Sequence, residues 1–537
     1  MLLCHLGIAQ GVYEVGTFTS IPSGKHVNHS FYGTWNAYFA VEDGVLVYNH
    51  HNDKWLDPIT ASNGLIQYPA LLVWQDLGTQ DVWIVTPDYV FVYDELTQWM
   101  EYESLPKDNN FSGKYVFGIT DNQVIISSQE PGSKESYSAI FRRSSGMFDS
   151  WGLDSTLDVE WDNIERFEAI NPILNDVYES LAVQKISNGR FDASGMIHLD
   201  GYPLQSSSSV TALTGDIGLG GIFLSTYGMG IFKQAINGGE FIQLSFGLLS
   251  PDVMSLKMLG SKLMVGGRAG LTLMDGYDVE YDEAIRDAYF DYSFISAIDR
   301  SLSDIWVAGR GGVFKKSREA GGWLRILTKK DLASTRIYSI AAGNDGNIMV
   351  ATERNAFLYH ESGLKLRTLF PDELDWPVFD IFYQAGYYYV STLLGLFIYD
   401  EVNLNFSTRI DSYGNIHSPK EDSPIDPIYK CAVEDDVLWA SSSRGLIRVD
   451  LIEKTGMTFL APHAPFKPRG LAVADGGVWV GTDIGLYNFN SKSSTWRHYN
   501  SNDGIISNFV TDLTADSDYI WVGTNLGLTR IKWQNLY

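Results

Sequence analysis

The chain has only two cysteines, Cys4 and Cys431, in 537 residues. That excludes a disulfide scaffold and any four-cysteine zinc or iron–sulfur site. Positive charge is also scarce. Against 65 Asp+Glu stand 39 Lys+Arg, which leaves a net charge of −26. Nucleic acid and anionic membrane both ask for a basic surface, so neither is an expected partner. No window holds 18 continuous apolar residues, so no membrane-spanning helix is expected. There is no His-Glu-x-x-His run, Walker loop or nucleophile elbow. Of the ten histidines only His50 and His51 are adjacent, and a strand would send their side chains to opposite faces. Charged residues make up 19% and apolar residues 45%, which excludes a disordered chain.

What is abundant points to strands. Gly counts 51, Tyr 30 and Trp 15. Glycine suits tight turns and aromatics suit pleated sheets. A short pattern recurs: an aromatic or aliphatic pair, a small residue, Thr or Ser, a short loop, Gly, then an alternating apolar run. The best copies are Val478-Trp479-Val480-Gly481-Thr482 to Gly485-Leu486-Tyr487, and Ile520-Trp521-Val522-Gly523-Thr524 to Gly527-Leu528. Registered on the second glycine or its substitute, copies fall at Gly44, Tyr89, Gln123, Gly230, Gly270, Gly312, Asn355, Gly395, Gly445, Gly485 and Gly527. From Gly230 the steps are 40, 42, 43, 40, 50, 40 and 42 residues. A beat near 42 is too short for repeats with full helices and suits a four-stranded antiparallel propeller blade. The glycine is expected at positive φ in a hairpin turn, with Asn355 as its left-handed replacement. Thr352, Thr392, Thr482 and Thr524 are placed to hydrogen-bond across that turn or between blades. Trp83, Trp306, Trp439, Trp479 and Trp521 keep the register and read as blade core.

A second element precedes many copies: Asn502-Asp503-Gly504 running into Phe509-Val510, with relatives at Asn63-Gly64-Leu65, Asp200-Gly201-Tyr202 and Phe246-Gly247-Leu248. Together these passages resemble the two-component regulator propeller repeat family over roughly residues 35 to 531. The resemblance implies paired propellers of the kind found in periplasmic sensor domains. Trp35-Asn36 through Phe39-Ala40 to Gly44-Val45-Leu46-Val47-Tyr48 is also similar to the first blade of the accessory double propeller of type IX secretion.

The fold class expected is therefore all-β, with two β-propellers of four-stranded antiparallel blades, six or seven blades each. Eleven copies exceed one ordinary ring. Arg190 to Met196 is a faint twelfth, and an even split places a boundary near 290. The expected division is 1–10 as a signal-peptide remnant cleaved near Ala9 or Gln10, 11–290 as the first propeller and 291–537 as the second. The alternative for the start is an ordinary strand. The strand Val12–Thr17 is expected to complete a distant blade, since an open ring would expose sheet edges.

Candidate sites are thin, and neither catalytic, ligand-binding nor metal residues are singled out. Asp158, Glu160, Asp162 and Glu165 offer oxygens for calcium without EF-hand spacing; a solvated acidic face is the plainer reading, and no cofactor is otherwise expected. Gly218-Leu219-Gly220-Gly221 reads as a turn rather than a phosphate loop. Trp55, Trp74, Trp99, Trp151, Trp161 and Trp376 stand outside the common register and are either packing groups or stacking platforms. The insert between Phe406 and Ile428, with Pro419, Pro424 and Pro427, is either a surface loop or a recognition loop.

These features point to a non-catalytic, exported binding or assembly protein, periplasmic or extracellular. A glycan, a peptide or an envelope protein would be its partner. Two alternatives stay open: a ligand-sensing input subunit for a separate membrane kinase, and a polysaccharide-active lyase or hydrolase built from acids on separate blades.

Overall fold

The computed structural model describes residues 7–8, 16–105, 114–129, 136–157, 159, 165–168, 186–187, 189–191, 196–199, 208–216, 221–234, 239–282, 294–317, 322–334, 336, 337–344, 346–360, 365–370, 376–421, 424–474 and 477–536. The regular secondary structure of the described residues is almost wholly antiparallel strand, as the composition foretold. It forms two β-propeller units. One comprises residues 1–247 with 502–506, the other 248–501 with 507–537. The division thus falls at Gly247/Leu248, ahead of the expected 290. The sheet of residues 253–282 goes with the second unit because its innermost strand neighbours that of residues 510–515.

In the second unit, successive sheets begin with the innermost strands Val253–Leu259, Ile295–Arg300, Ile337–Ala342, Val378–Gln384, Ile428–Glu434, Gly470–Ala474 and Val510–Ala515. Each of these seven strands neighbours the next, and the last neighbours the first. The first six lead outward through antiparallel neighbours in sequence order, and the seventh does so as far as Leu528–Lys532. The ring is held by apolar clusters that draw on consecutive sheets. Trp306, Val313 and Leu327 pack with Ile337, Val350 and Tyr359. Ala351 and Leu358 pack with Ile381, Tyr388 and Tyr399. Since no sheet buries both its faces alone, each depends on its neighbours for its core.

The first unit follows the same plan. Innermost strands Val27–Tyr32, Leu72–Gln75 and Ser209–Asp216 lead sheets of their own. Tyr38, Val45 and Val47 share a core with Val73, Ile84 and Phe91 of the following sheet. Lys114–Ile119 and Gln123–Gln129 form the next sheet. Gln123 therefore opens a second strand there, whereas Gly44 and Tyr89 open third strands. The copy assigned to Gln123 is displaced by one strand, because the true second-to-third connection lies nearer residues 130–135, outside the described residues. Residues 1–6 and 12–15, the acidic positions Asp158, Glu160 and Asp162, and residues 192–195 and 200–201 also lie outside them.

The repeat motif has a clear physical role. Gly395 and Gly485 have φ +113 and +131, and a Cβ on either would sit 2.5 Å from the carbonyl oxygen of Ile410 or Tyr499 on the fourth strand. Only glycine fits that combination of backbone and space. The threonine three residues earlier closes the same turn. Thr392, Thr482 and Thr524 each donate Oγ1–H to the glycine carbonyl at 2.8 Å. The bonds cross the turn rather than the gap between blades. Asn355 does not take a positive φ, so the left-handed role expected for it is corrected. Its side chain substitutes for the glycine's freedom: Oδ1 accepts the Phe370 N–H at 3.1 Å and Nδ2 donates to the Phe370 carbonyl at 3.2 Å.

Candidate functional site

Six of the seven innermost strands of the second unit share a local irregularity. A bulge follows the first residue in the strands starting at Val253, Ile295, Ile337, Val378, Ile428 and Val510. A bulge re-aims the next side chains out of the regular alternation. Here it turns them toward the adjacent innermost strand. Ser296 Oγ donates to the Ile337 carbonyl at 2.7 Å and Thr511 Oγ1 to the Val253 carbonyl at 2.7 Å. One residue on, side chains accept backbone N–H groups from the next strand. Ile381 N–H reaches Ser339 Oγ at 3.2 Å, Cys431 N–H reaches Asp380 Oδ2 at 3.3 Å and Leu256 N–H reaches Asp512 Oδ2 at 2.8 Å. The bond from Leu256 to Asp512 closes the ring between its last and first strands.

These groups line a central cavity of about 560 Å³. Two lysines enter it from the walls. Lys430 Nζ is 3.1 Å from Asp380 Oδ1, and Lys257 Nζ is 2.5 Å from Asp299 Oδ1. Asp299 Oδ2 also accepts the Ala342 N–H at 2.7 Å. Asp380 and Asp299 thus each tie a lysine to a neighbouring backbone. Burial works to lower the Lys430 pKa, but the charges of Asp380 and then Asp512 outweigh it and hold the ammonium above its ordinary value. Burial raises the Asp512 carboxyl, partly offset by Lys430 and the Leu256 N–H. The Cys431 thiol, pushed up first by burial and then by Asp380, stays protonated; a protonated buried thiol is a poor nucleophile. The junction between the strands starting at Gly470 and Val510 is made differently. Gly470 instead lets backbones approach, and a Cβ there would lie 2.9 Å from the Leu513 nitrogen.

The same grammar recurs in the first unit, where a bulge follows Val27. Asn28 Nδ2 donates to the Ala70 carbonyl at 2.9 Å, and Val73 N–H points at His29 Nδ1 at 3.5 Å. Burial lowers the His29 pKa to about 4, so its imidazole is neutral and able to accept.

The aromatic and histidine candidates fall mostly to structure. Trp83, Trp306, Trp439, Trp479 and Trp521 are buried. Trp74 is buried as well, Trp55 donates to the Ser245 carbonyl at 3.0 Å, and Trp99 and Trp376 are half-buried. Trp151 is exposed, and Trp161 lies outside the described residues. His50 and His51 lie in a turn beyond the strand, so their rings come together at 4.5 Å, against the opposite orientation a strand would impose. His50 Nε2 meets the Gly33 carbonyl at 3.2 Å and His51 Nε2 the Thr34 carbonyl at 3.3 Å. The insert after Phe406 is built around Asp411, whose Oδ1 accepts the N–H groups of Tyr413 and Asn415 at 2.9 Å. Thr458 Oγ1 ties it to the Ser412 carbonyl at 2.9 Å. Gly221 opens a strand, and residues 217–220 lie outside the described set. Sequence reasoning missed the bulge latches. Their signal is a Val or Ile followed two positions later by Ser, Asp or His at the start of innermost strands.

No protein-family profile matches the chain, and no curated protein matches it. Solved structures do. PorZ of Porphyromonas gingivalis, described as an essential bacterial surface component of the type IX secretion system, aligns at TM-score 0.55 and 12% identity, over 96% of this chain and 87% of that one. The extracellular domain of a hybrid two-component system from B. thetaiotaomicron aligns at TM-score 0.34 and 14% identity, over 93% and 73%. YCF48 bound to D1 peptide aligns at 0.41 and 15%, over 53% and 95%. The last two superpositions carry no argument. The first shows a shared fold, at the double propeller to which the opening residues were likened. Among the described residues no helix is long and apolar enough to cross a membrane.

Proposed function

We propose that this chain is a non-catalytic, exported binding or assembly protein that recognises its partner through the faces of its propellers. One observation carries the reading: in the central cavity Asp299 and Asp380 are committed to Lys257 and Lys430, and both, with Asp512, to backbone N–H groups of adjacent strands. Asp299, Asp380 and Asp512 each accept a backbone N–H, so these carboxylates serve the ring before they serve a substrate. Their commitment weighs against a lyase or hydrolase, which needs two convergent acids with unspent proton capacity. Rigid blades with variable turns are a scaffold for recognition. The surface role stated for PorZ agrees with export.

Immobilised full chain, incubated with an envelope extract under gentle conditions, is expected to retain a partner that then binds the purified chain saturably. Recovery of neither protein nor glycan would overturn the reading. So would turnover of a polysaccharide that is lost in Asp380→Asn while the protein stays folded.

A further inference from the structure

One end of the second unit's sheets gathers arginines. The latches join equivalent positions of successive innermost strands, Ser296 to Ile337, Asp380 to Cys431 and Thr511 to Val253. Those strands therefore run side by side in one direction, and their starts lie on one face of the ring. Antiparallel order puts each second-to-third turn on that face too. In a chain of net charge −26, this face carries exposed Arg310, Arg354 and Arg444 in three such turns and exposed Arg469 just before an innermost strand. Among the described residues none of the four makes an ion pair with a carboxylate.

Among the described residues, acids on the same face are already engaged. Asp252 pairs with Arg268 at 2.7 Å, Asp483 with Lys467 at 3.6 Å and Asp411 with His417 at 2.8 Å. Three of the four guanidiniums lie over aromatic rings instead: Arg444 over Tyr413 at 4.3 Å, Arg469 over Phe509 at 4.3 Å and Arg310 over Phe294 at 5.7 Å. Stacking fixes the plane of a guanidinium and leaves its N–H edge outward, the geometry that grips a carboxylate with two bonds. Nearer the cavity mouth the same face presents Tyr338, 37% exposed, and the tilted pair Phe379 and Tyr429 at 5.2 Å.

We propose that this face docks a carboxylate-rich polypeptide segment, its acidic side chains held by Arg310, Arg354, Arg444 and Arg469 and its apolar ones by Tyr338, Phe379 and Tyr429. The proposal rests on the binding role above and names the partner's chemistry. A polypeptide fits better than an acidic glycan because Tyr413 and Phe509 already have a face covered by arginine. A sugar ring would need such faces open.

The test is fluorescence anisotropy of the full chain with a labelled peptide of Glu-Glu-Glu-Glu-Tyr repeats, polygalacturonate serving as competitor. Saturable binding that weakens with added salt is expected. Replacing Arg310, Arg354 and Arg444 together by Gln should weaken it about a hundredfold, with melting unchanged because all three are exposed. Arg444→Lys, which keeps charge but loses the fork, should cost several-fold. No binding, binding indifferent to the triple Gln variant, or polygalacturonate displacing the peptide at lower carboxylate concentration than the peptide itself would overturn the proposal. Peptide signal that appears only with self-association in light scattering would also overturn it, in favour of a second copy as the occupant. A partner captured from extract equally by wild type and by the triple variant would leave the binding role standing and remove this face from it.

Discussion

Asp43 and His29 show how much a single buried group sets the pH response. Asp43 is 6% exposed and takes one N–H, from Ser23 at 2.9 Å. Burial, offset in part by that bond, pushes its carboxyl up to about 8. The folded state therefore holds a proton that the unfolded chain releases near pH 4, and stability falls as pH rises from about 4 to about 8. His29, lowered to about 4 by burial, acts oppositely: the unfolded chain gains a proton first, so stability rises from pH 4 to about 6.5. The two oppose each other below pH 6.5, and Asp43 acts alone above it. Urea unfolding of the first unit's signal should lose up to about 1.4 kcal/mol per pH unit between 6.5 and 8. Asp43→Asn should flatten that slope, and an unchanged slope would remove Asp43 as its source.

Lys430 is the other residue whose loss should be felt far from its own strand. With a side chain 22% exposed, it neutralises Asp380 and bears on Asp512. Lys430→Met should cost about 3 kcal/mol, the low end for stranding a partly buried carboxylate. The double variant Asp380→Asn/Lys430→Met should recover part of it in urea midpoints. The repeat tryptophans were legible from the sequence because burial follows register. The latches were not: nothing in the string Ile428-Tyr429-Lys430-Cys431 says that Asp380, fifty positions earlier, lies beside it.

At the scale of one sheet, two turns decide the hairpins. The second-to-third turn was legible through its Thr and Gly. The third-to-fourth turn was not recognised, although five sheets share it. Asp94, Asp400, Asp450 and Asn490 each accept, through Oδ1, the N–H groups two and three residues on. Asn49 does so for His51 and Asn52. A left-handed residue then precedes the fourth strand in each: Asp53, Gln98, Leu404, Lys454 and Ser494, with φ between 52 and 55. Asp and Asn bridge their own backbone in this way with little sequence cost. The fifth residue is almost unconstrained in type, which hid the motif. The same turn places His50 and His51 together. Gly485→Ala should cost about 2 kcal/mol or more. Gly276→Ala, at φ +64 with nothing within 4 Å, should cost about 1 kcal/mol. Equal melting losses for the two would refute the steric account of the repeat glycine.

For the whole molecule, the beat near 42 residues gave the all-β propeller class, and the number of copies gave two units. The location of their division did not follow from counting. An even split of twelve copies assumed equal rings, whereas the strand starting at Val253 joins the ring that ends at Val510. That choice is made by Asp512 and Thr511 reaching Leu256 and Val253, contacts invisible in a one-dimensional repeat. Neither could spacing find the arginine face, because Arg310, Arg354 and Arg444 sit one or two positions before the register residue as Arg268 does, yet Arg268 is spent on Asp252 and the turns at Gly395, Gly485 and Gly527 carry no arginine. Ring closure is thus the claim on which the cavity, its latches and that face all depend. Hydrogen–deuterium exchange of the intact chain tests it directly through Asp512→Ala. Faster exchange is expected in the peptide spanning residues 254 to 258, although it lies 256 positions from the substitution. Exchange there indistinguishable from wild type, with change confined to residues around 512, would contradict a closed ring.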